Sequence, residues 1–202
     1  IKSVTLTGKL AVDGGEHLIN STTIAAGADV TFKTGQFRHI TVNGKASFVG
    51  GTYLGLVTAA AGAEAVFSGG AYQYLNVEDG GTAVVKNSAA FGEDVTVTKG
   101  TLTVEGGSFG AAVVVEGDGT MNVNGGSFTG TGMNMLRLLV ALLTFSSIPI
   151  LLFQTSMDIY GTVRSVVVGS MDGATVSITD LVKGAVQSMF KSVYGTLPPV
   201  KI

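Results

Sequence analysis

The sequence predicts a mainly β fold, a parallel β-solenoid (β-helix) of about seven turns with roughly 19 residues each, followed by a small α+β module. Three observations support this prediction. Glycine accounts for 30 of the 202 residues, whereas only 13% are charged. Short segments alternate apolar and polar residues, which indicates strands with one buried face. A ten-residue pattern recurs about every 19 residues, and regular repeats of this length are typical of solenoids.

The repeat is clearest in two consecutive copies, Gly100–Phe109 and Gly119–Phe128. These segments are identical at seven of ten positions. Related copies start at residues 8, 27, 44, 62 and 81, so the interval from one copy to the next is nearly constant throughout. Seven copies at this spacing predict seven turns of one coil.

Each copy contains the elements of one turn. Thr101–Val104 alternates polar and apolar residues, which predicts a strand, and the pair Gly106–Gly107 then allows a corner with positive φ. A second apolar run follows at Val113–Val115, and the polar turn Gly117–Gly119 starts the next copy. Such strands are too short for a meander of hairpins. They favour a coil whose turns stack about 4.8 Å apart, so that seven turns form a rod of roughly 30 Å.

The pattern Gly-x-x-x-Val-x-Gly-Gly-x-Phe, seen at Gly100–Phe109 and Gly119–Phe128, resembles the glycine-rich repeats in the passengers of adhesin-type autotransporters. It is also similar to repeats of other bacterial and phage β-helix surface proteins. The resemblance covers residues 8–130 and implies a β-helical fold with a structural or adhesive role. The remainder, residues 132–202, is too short for the large membrane translocator of those proteins. We therefore do not expect a complete autotransporter.

An aromatic residue follows the glycine corner in most copies. One interpretation is an exposed strip on which glycans stack, and the other is an interior column that fixes the register of the turns. We favour the interior column, because large aromatic side chains are usually buried. In the first copy His17 takes the aromatic position, so we expect it to stack there as well. The six aromatic residues are Phe37, Tyr53, Tyr72, Phe91, Phe109 and Phe128.

A change of composition near Thr129–Met133 divides the chain into a solenoid domain, residues 1–131, and a second module, residues 132–202. The net charge is −4 in the first part (11 acidic and 7 basic residues) and +2 in the second (3 acidic and 5 basic). Leu138–Met157 carries no charged residue and has the length of roughly 20 residues that a transmembrane helix needs. Pro149 and neighbouring polar residues weaken that interpretation. The alternative is a helix buried in an oligomer or covering the end of the solenoid.

The remaining residues of the second module predict a β-hairpin and an amphipathic helix. Gly161–Val168 and Ala174–Ile178 are rich in β-branched residues and flank a glycine-containing turn. Thr179–Tyr194 places apolar residues on one helical face and is followed by Gly195 and two prolines. We interpret residues 132–202 as an anchoring or assembly module.

The sequence predicts no catalytic, cofactor or metal site. His17 and His39 lack a ligand spacing with any partner. The acid pairs Glu78–Asp79 and Glu93–Asp94 are of the type used by β-helix glycosidases and lyases, but beside glycine they are more simply solvated turn residues. Glu116–Asp118 lacks the repeat that builds calcium sites in solenoids. The absence of cysteine excludes disulfides, and a net charge of −2 argues against direct binding of nucleic acid.

These observations predict a non-enzymatic structural or adhesive protein of the cell surface or extracellular space. We expect a rod that forms a homo-oligomer or filament and contacts a surface glycan or receptor. The hydrophobic module is expected to hold the rod, with residues 138–157 as the candidate membrane segment. One alternative is a structural component of a virion or phage tail spike, and another is a carbohydrate-active β-helix enzyme.

Overall fold

The computed structural model describes residues 1–129 and, beyond them, only the backbone of six short strands. Residues 1–129 form a parallel β-solenoid of about seven turns and contain no helix, which confirms the predicted fold of the repeat region. Its fifteen strands are β1 (Ser3–Leu6), β2 (Lys9–Ile24), β3 (Asp29–Val42), β4 (Lys45–Phe48), β5 (Thr52–Ala59), β6 (Glu64–Phe67), β7 (Ala71–Val77), β8 (Thr82–Val85), β9 (Ala90–Phe91), β10 (Val95–Thr98), β11 (Thr101–Val104), β12 (Ser108–Phe109), β13 (Val113–Glu116), β14 (Thr120–Val123) and β15 (Ser127–Phe128).

Each turn has three sides, which β8, β9 and β10 illustrate as the first, second and third side. The first side, β8, pairs in parallel with β6 before it and β11 after it. The second side, β9, pairs with β7 and β12, and the third side, β10, pairs with β7 and β13. In the early turns the strands continue across the corners. As a result, β2 and β3 each cover all three sides.

Alternation along each strand separates the core from the surface. In β11, Leu102 and Val104 are buried, whereas the alternate residues Thr101 and Thr103 point outward and are partly exposed. Because turns pair residue to equivalent residue, buried side chains of successive turns form columns. On the first side, Phe32, Phe48 and Phe67 stack at ring-centroid distances of 5.0 and 4.7 Å.

The aromatic residues after the glycine corner form a second buried column, here called the aromatic column. It comprises Phe37, Tyr53, Tyr72, Phe91, Phe109 and Phe128. Consecutive rings lie 4.5 to 5.5 Å apart with interplanar angles of 5 to 21°. The prediction of an interior column is confirmed, and the alternative of an exposed glycan-stacking strip at these residues is wrong.

The glycine pair at the first corner, between the first and second sides, serves two different purposes, as Gly69–Gly70 shows. Gly70 has a φ of +96°, a conformation that favours glycine, as the sequence predicts for the pair. Gly69 does not have a positive φ. A Cβ atom there would instead collide with the backbone carbonyl oxygen of Val49 in the preceding turn. The close approach of stacked backbones therefore explains the first glycine, and the backbone conformation explains the second.

The predicted position of His17 in the aromatic column is wrong. Ile19, not His17, pairs with Phe37, and the side chain of His17 is exposed. The reason is a longer first corner in this turn: the register shifts between Asp13 and Leu18, which places extra residues outside the stack. Counting from the glycine pair therefore misses the buried position by two residues.

Beyond residue 129 the described segments are β16 (Leu136–Leu139), β17 (Leu142–Phe145), β18 (Leu152–Phe153), β19 (Met157–Tyr160), β20 (Ser165–Val167) and β21 (Val176–Ile178). β16, β17 and β18 pair in parallel with β13, β14 and β15. Where these strands overlap the predicted helix of residues 138–157, the described backbone is extended. The other residues of that segment and the predicted helix of residues 179–194 lie outside the described residues. Within the described part of the chain, no helix has the length and hydrophobicity needed to cross a bilayer.

Candidate binding groove at the second corner

The second corner, between the second and third sides, changes in chemistry from turn to turn. It carries Arg38–His39 in one turn, Leu54–Leu56 in the next, and then Gln73–Tyr74. Gly92–Asp94 and Gly110–Ala112 follow in the later turns. All of these corners follow a residue of the aromatic column, so one buried scaffold positions a basic, an apolar, an aromatic, an acidic and a small-residue corner in succession.

A groove with a volume of about 480 Å³ lies along this corner and the third side. Leu56 pairs with Tyr74 in the next turn, and Leu75 pairs with Val95 in the turn after that, so the groove follows the axis of the solenoid. Tyr74 is 42% exposed and Leu56 is 37% exposed, so both side chains present apolar surface to solvent. The lining residues are Leu56, Tyr74, Leu75, Asn76, Asp94, Thr96 and Thr98.

Hydrogen bonds between turns position the corner. The backbone N–H of Ala112 donates to Oδ1 of Asp94 at 3.2 Å, which fixes the carboxylate against the following turn. In an earlier turn, the backbone N–H of Leu56 donates to Nδ1 of His39 at 3.4 Å. His39 and Asp94 are thus tied to the backbone of their successor turns, and the Asp94 carboxylate is held at one end of the groove.

Asn76 adds a polar group to the floor of the groove. On the third side it takes its place in an outward column between Thr58 and Thr96. Its Oδ1 is shielded from solvent and accepts no hydrogen bond within the described residues. The rest of the Asn76 side chain is partly exposed and lines the groove, so the residue adds polar surface there.

The structure separates the acidic and histidine residues singled out in the sequence. Glu78–Asp79 lies at the third corner, between the third side and the next turn, whereas Glu93–Asp94 lies at the second corner. His17 lies at the first corner and His39 at the second. In residues 1–129, no group of three or more histidine, aspartate and glutamate side chains has an arrangement that would hold a metal ion. The two acid pairs therefore do not converge on one site.

Glu116–Asp118 belongs to a tight turn at the third corner. The backbone N–H of Gly119 donates to the carbonyl oxygen of Glu116 at 3.0 Å, which closes the turn. The segment therefore connects one turn of the solenoid to the next.

The sequence did not predict that the side chains of Leu56 and Tyr74 lie on the surface. The available signal was that Tyr74 stands outside the repeated aromatic position, two residues after Tyr72. On a regular strand these two side chains would share a face. Here the corner intervenes, so that Tyr72 is buried and Tyr74 is exposed.

Comparison with family models, with curated proteins and with solved structures finds no match to this chain. A function is therefore inferred from the solenoid and its surface chemistry.

Proposed function

We propose that this chain is a non-enzymatic structural or adhesive surface protein, a β-solenoid rod that presents varied side chains on a repeated scaffold. The observation that supports this most strongly is the unbroken parallel pairing from β1 to β15 around a filled interior. A stack of about seven turns corresponds to a rod of roughly 30 Å. In such a stack each turn is stabilised mainly by its neighbours, so length is gained without a larger globular core.

Surface charges support a scaffold with one fixed register. At the start of the first side, Lys9, Asp29, Lys45 and Glu64 occupy equivalent positions in consecutive turns, so the sign of the charge alternates along the stack. Lys45 Nζ lies 2.8 Å from Glu64 Oε2, and this contact together with the Glu64 charge raises the pKa of Lys45. A shift by one turn would place like charges against each other and is therefore disfavoured.

The N-terminal end of the described solenoid supports association. Leu10 occupies an interior position, as its pairing with the buried Val30 shows, yet it is 39% exposed. Apolar residues and unpaired strand edges at the end of a sheet favour pairing with further polypeptide. We propose that the solenoid associates into a homo-oligomer or filament, and that residues 132–202 attach the rod to a membrane or larger assembly.

Sedimentation and electron microscopy of the full chain test this proposal. With and without detergent, we expect oligomers or filaments, and in producing cells we expect the chain in the membrane fraction and accessible to protease added outside. A stable, dilute monomer that stays in the soluble cell fraction would contradict the proposal.

Two other outcomes would favour the alternatives. Copurification with particles that contain nucleic acid would indicate the virion component. Release of sugars from a glycan, lost in both Glu93→Gln and Asp94→Asn, would indicate the carbohydrate-active enzyme.

A further inference from the structure

We propose that the groove at the second corner binds a short saccharide without acidic groups. This inference rests on the proposed adhesive function and names the chemical class that the surface would recognise. A pyranose ring presents a face of C–H groups and a rim of hydroxyls. The groove offers a matching combination of exposed apolar side chains and small polar side chains along three consecutive turns.

The apolar contact is provided by Leu56 and Tyr74. Their positions are equivalent in adjacent turns, and both side chains present apolar surface to the groove. Aromatic side chains with a polar end are well suited to contacts that are apolar on one face and wet at the edge. In the aromatic column the rings are already covered by other rings, so among the groove-lining residues only Tyr74 offers an aromatic ring to a ligand.

The polar contacts lie further along the same groove. Asn76 lines the groove, and its partly exposed side chain adds an amide that can hydrogen-bond to a sugar hydroxyl. Asp94 uses Oδ1 to accept from the backbone of Ala112, and its second carboxylate oxygen remains for a hydroxyl donor. Thr96 and Thr98 line the same wall and add hydroxyl groups that both donate and accept.

The charge of the groove decides which saccharides fit. Asp94 is the one ionisable acid or base among the lining residues besides the tyrosine hydroxyl, and Glu93 precedes it at the same corner. Sialylated or sulfated sugars would place a negative charge beside this carboxylate, and like-charge juxtaposition disfavours binding. The volume of about 480 Å³ falls within the range of small-ligand sites and matches a short saccharide rather than a folded domain.

An apolar peptide or a lipid tail fits the groove less well. A lipid tail would cover Asn76, Asp94 and the threonines without offering any hydrogen-bond donor, and burial of unpaired polar groups is costly. A peptide with apolar side chains would offer only its backbone N–H groups to these residues. The mixture of one aromatic ring with a row of amide, carboxylate and hydroxyl groups therefore favours a hydroxyl-rich ligand.

An array of immobilised oligosaccharides, probed with the full chain, tests this inference. One arm contains neutral glycans built from hexose, fucose and N-acetylhexosamine, and the other contains their sialylated and sulfated counterparts. We expect binding to at least one neutral glycan and at least tenfold weaker binding to its acidic counterpart. Tyr74→Ala is expected to lower the affinity at least tenfold, whereas Tyr74→Phe, which keeps the ring, retains most of it.

Asp94→Asn tests the carboxylate separately, because the amide oxygen still accepts from Ala112 while the charge is removed. We expect a several-fold loss of affinity and weaker discrimination against acidic glycans. Val49→Ala is the matched control, since Val49 is 54% exposed but lies outside the groove. It should leave glycan binding unchanged. Far-UV circular dichroism and the thermal midpoint of each variant establish that the solenoid is intact.

Absence of neutral-glycan binding by the natural chain, or equal binding by the natural chain and Tyr74→Ala, would overturn the inference. Binding to an apolar peptide that is lost in Tyr74→Ala, without any glycan binding, would also overturn it and would assign the groove to a protein partner. These outcomes are distinct from failure of the proposed function, because surface exposure and filament formation are measured without a glycan.

Discussion

The aromatic column and the second corner follow each other directly in the five turns from Phe37 to Phe109, yet they behave in opposite ways. From Phe37 to Phe128 the column keeps a phenylalanine or tyrosine in six consecutive turns, all buried and stacked. The adjoining corner changes from Arg38–His39 to Gly110–Ala112 with no shared side-chain chemistry. Interior repetition therefore maintains the stack, while corner variation is free to carry recognition.

The physical reason is the spacing of the turns. Equivalent residues lie one strand spacing apart, about 4.8 Å, so a buried side chain packs on its own counterparts above and below. A substitution in the column changes two contacts at once in a close-packed interior. A corner side chain faces water and has no such requirement. This difference makes substitutions in the column more costly than substitutions at the corner.

Replacing Phe91 with alanine should have the largest effect. Its ring lies 4.8 Å from Tyr72 and 5.3 Å from Phe109, and a cavity would interrupt the column in its middle. We expect the free energy of unfolding to fall by about 3–5 kcal/mol, measured by urea titration. Tyr74→Ala, at the second corner of the preceding turn, should lower the free energy of unfolding by less than about 0.5 kcal/mol. Equal losses in the two variants would show that the column and the corner do not differ as proposed.

A pair of glycine substitutions compares a backbone contact with an open corner. Gly69→Ala directs a Cβ atom at the carbonyl oxygen of Val49, so the two turns must move apart. We expect a loss of about 1–3 kcal/mol in the free energy of unfolding. In Gly92→Ala, the nearest atom to the new Cβ is the Tyr72 carbonyl oxygen at 3.8 Å, and the expected change is within about 0.5 kcal/mol. Thermal or urea unfolding of both variants measures the difference, and a harmless Gly69→Ala would refute the explanation for the first glycine.

The smallest predicted effect concerns alkaline pH. Burial raises the pKa of Tyr72, whose hydroxyl donates to the carbonyl oxygen of Gly69 at 2.6 Å. Because the folded state holds this proton more tightly than the unfolded state, the resulting stability is present below about pH 10 and is lost as the pH rises further. The variant Tyr72→Phe has the same side chain at this position as its partner Phe91 in the next turn. We expect its free energy of unfolding to be about 1 kcal/mol lower at neutral pH, because the hydrogen bond is lost.

The same variant should lose stability less steeply between about pH 10 and 12, since one buried titrating group is gone. Urea titrations of both proteins across this range measure the slope. Tyr53, which is also buried and whose pKa burial also raises, remains in the variant and accounts for the residual dependence. An unchanged slope would show that Tyr72 ionises in the folded solenoid.

The repeat by itself predicted most of the solenoid. Copies from Gly8 to Gly119 indicated the number of turns, and alternation within Thr101–Val104 indicated the buried face. The prediction failed at His17, because corners differ in length and sequence spacing does not show which corner holds the extra residues. It also assigned one reason to two glycines, because the approach of Val49 to Gly69 is a contact between turns.

The candidate groove could not have been predicted in the same way. Tyr74 and Asp94 directly precede the paired residues Leu75 and Val95, but two residues separate Tyr72 from Leu75 and three separate Phe91 from Val95. Counting from the aromatic position of the repeat therefore does not align Tyr74 with Asp94. Their proximity depends on how the corners of successive turns lie on one another.

Period and alternation, which are properties of the chain itself, determined that the polypeptide coils into stacked parallel turns, because only equivalent positions pack well on each other. Which side chains remain exposed, and that Leu56, Tyr74, Asn76 and Asp94 line one groove, was decided by the tertiary structure alone. Corner geometry depends on contacts between turns that are distant in the sequence, and such contacts exist only once the coil has formed.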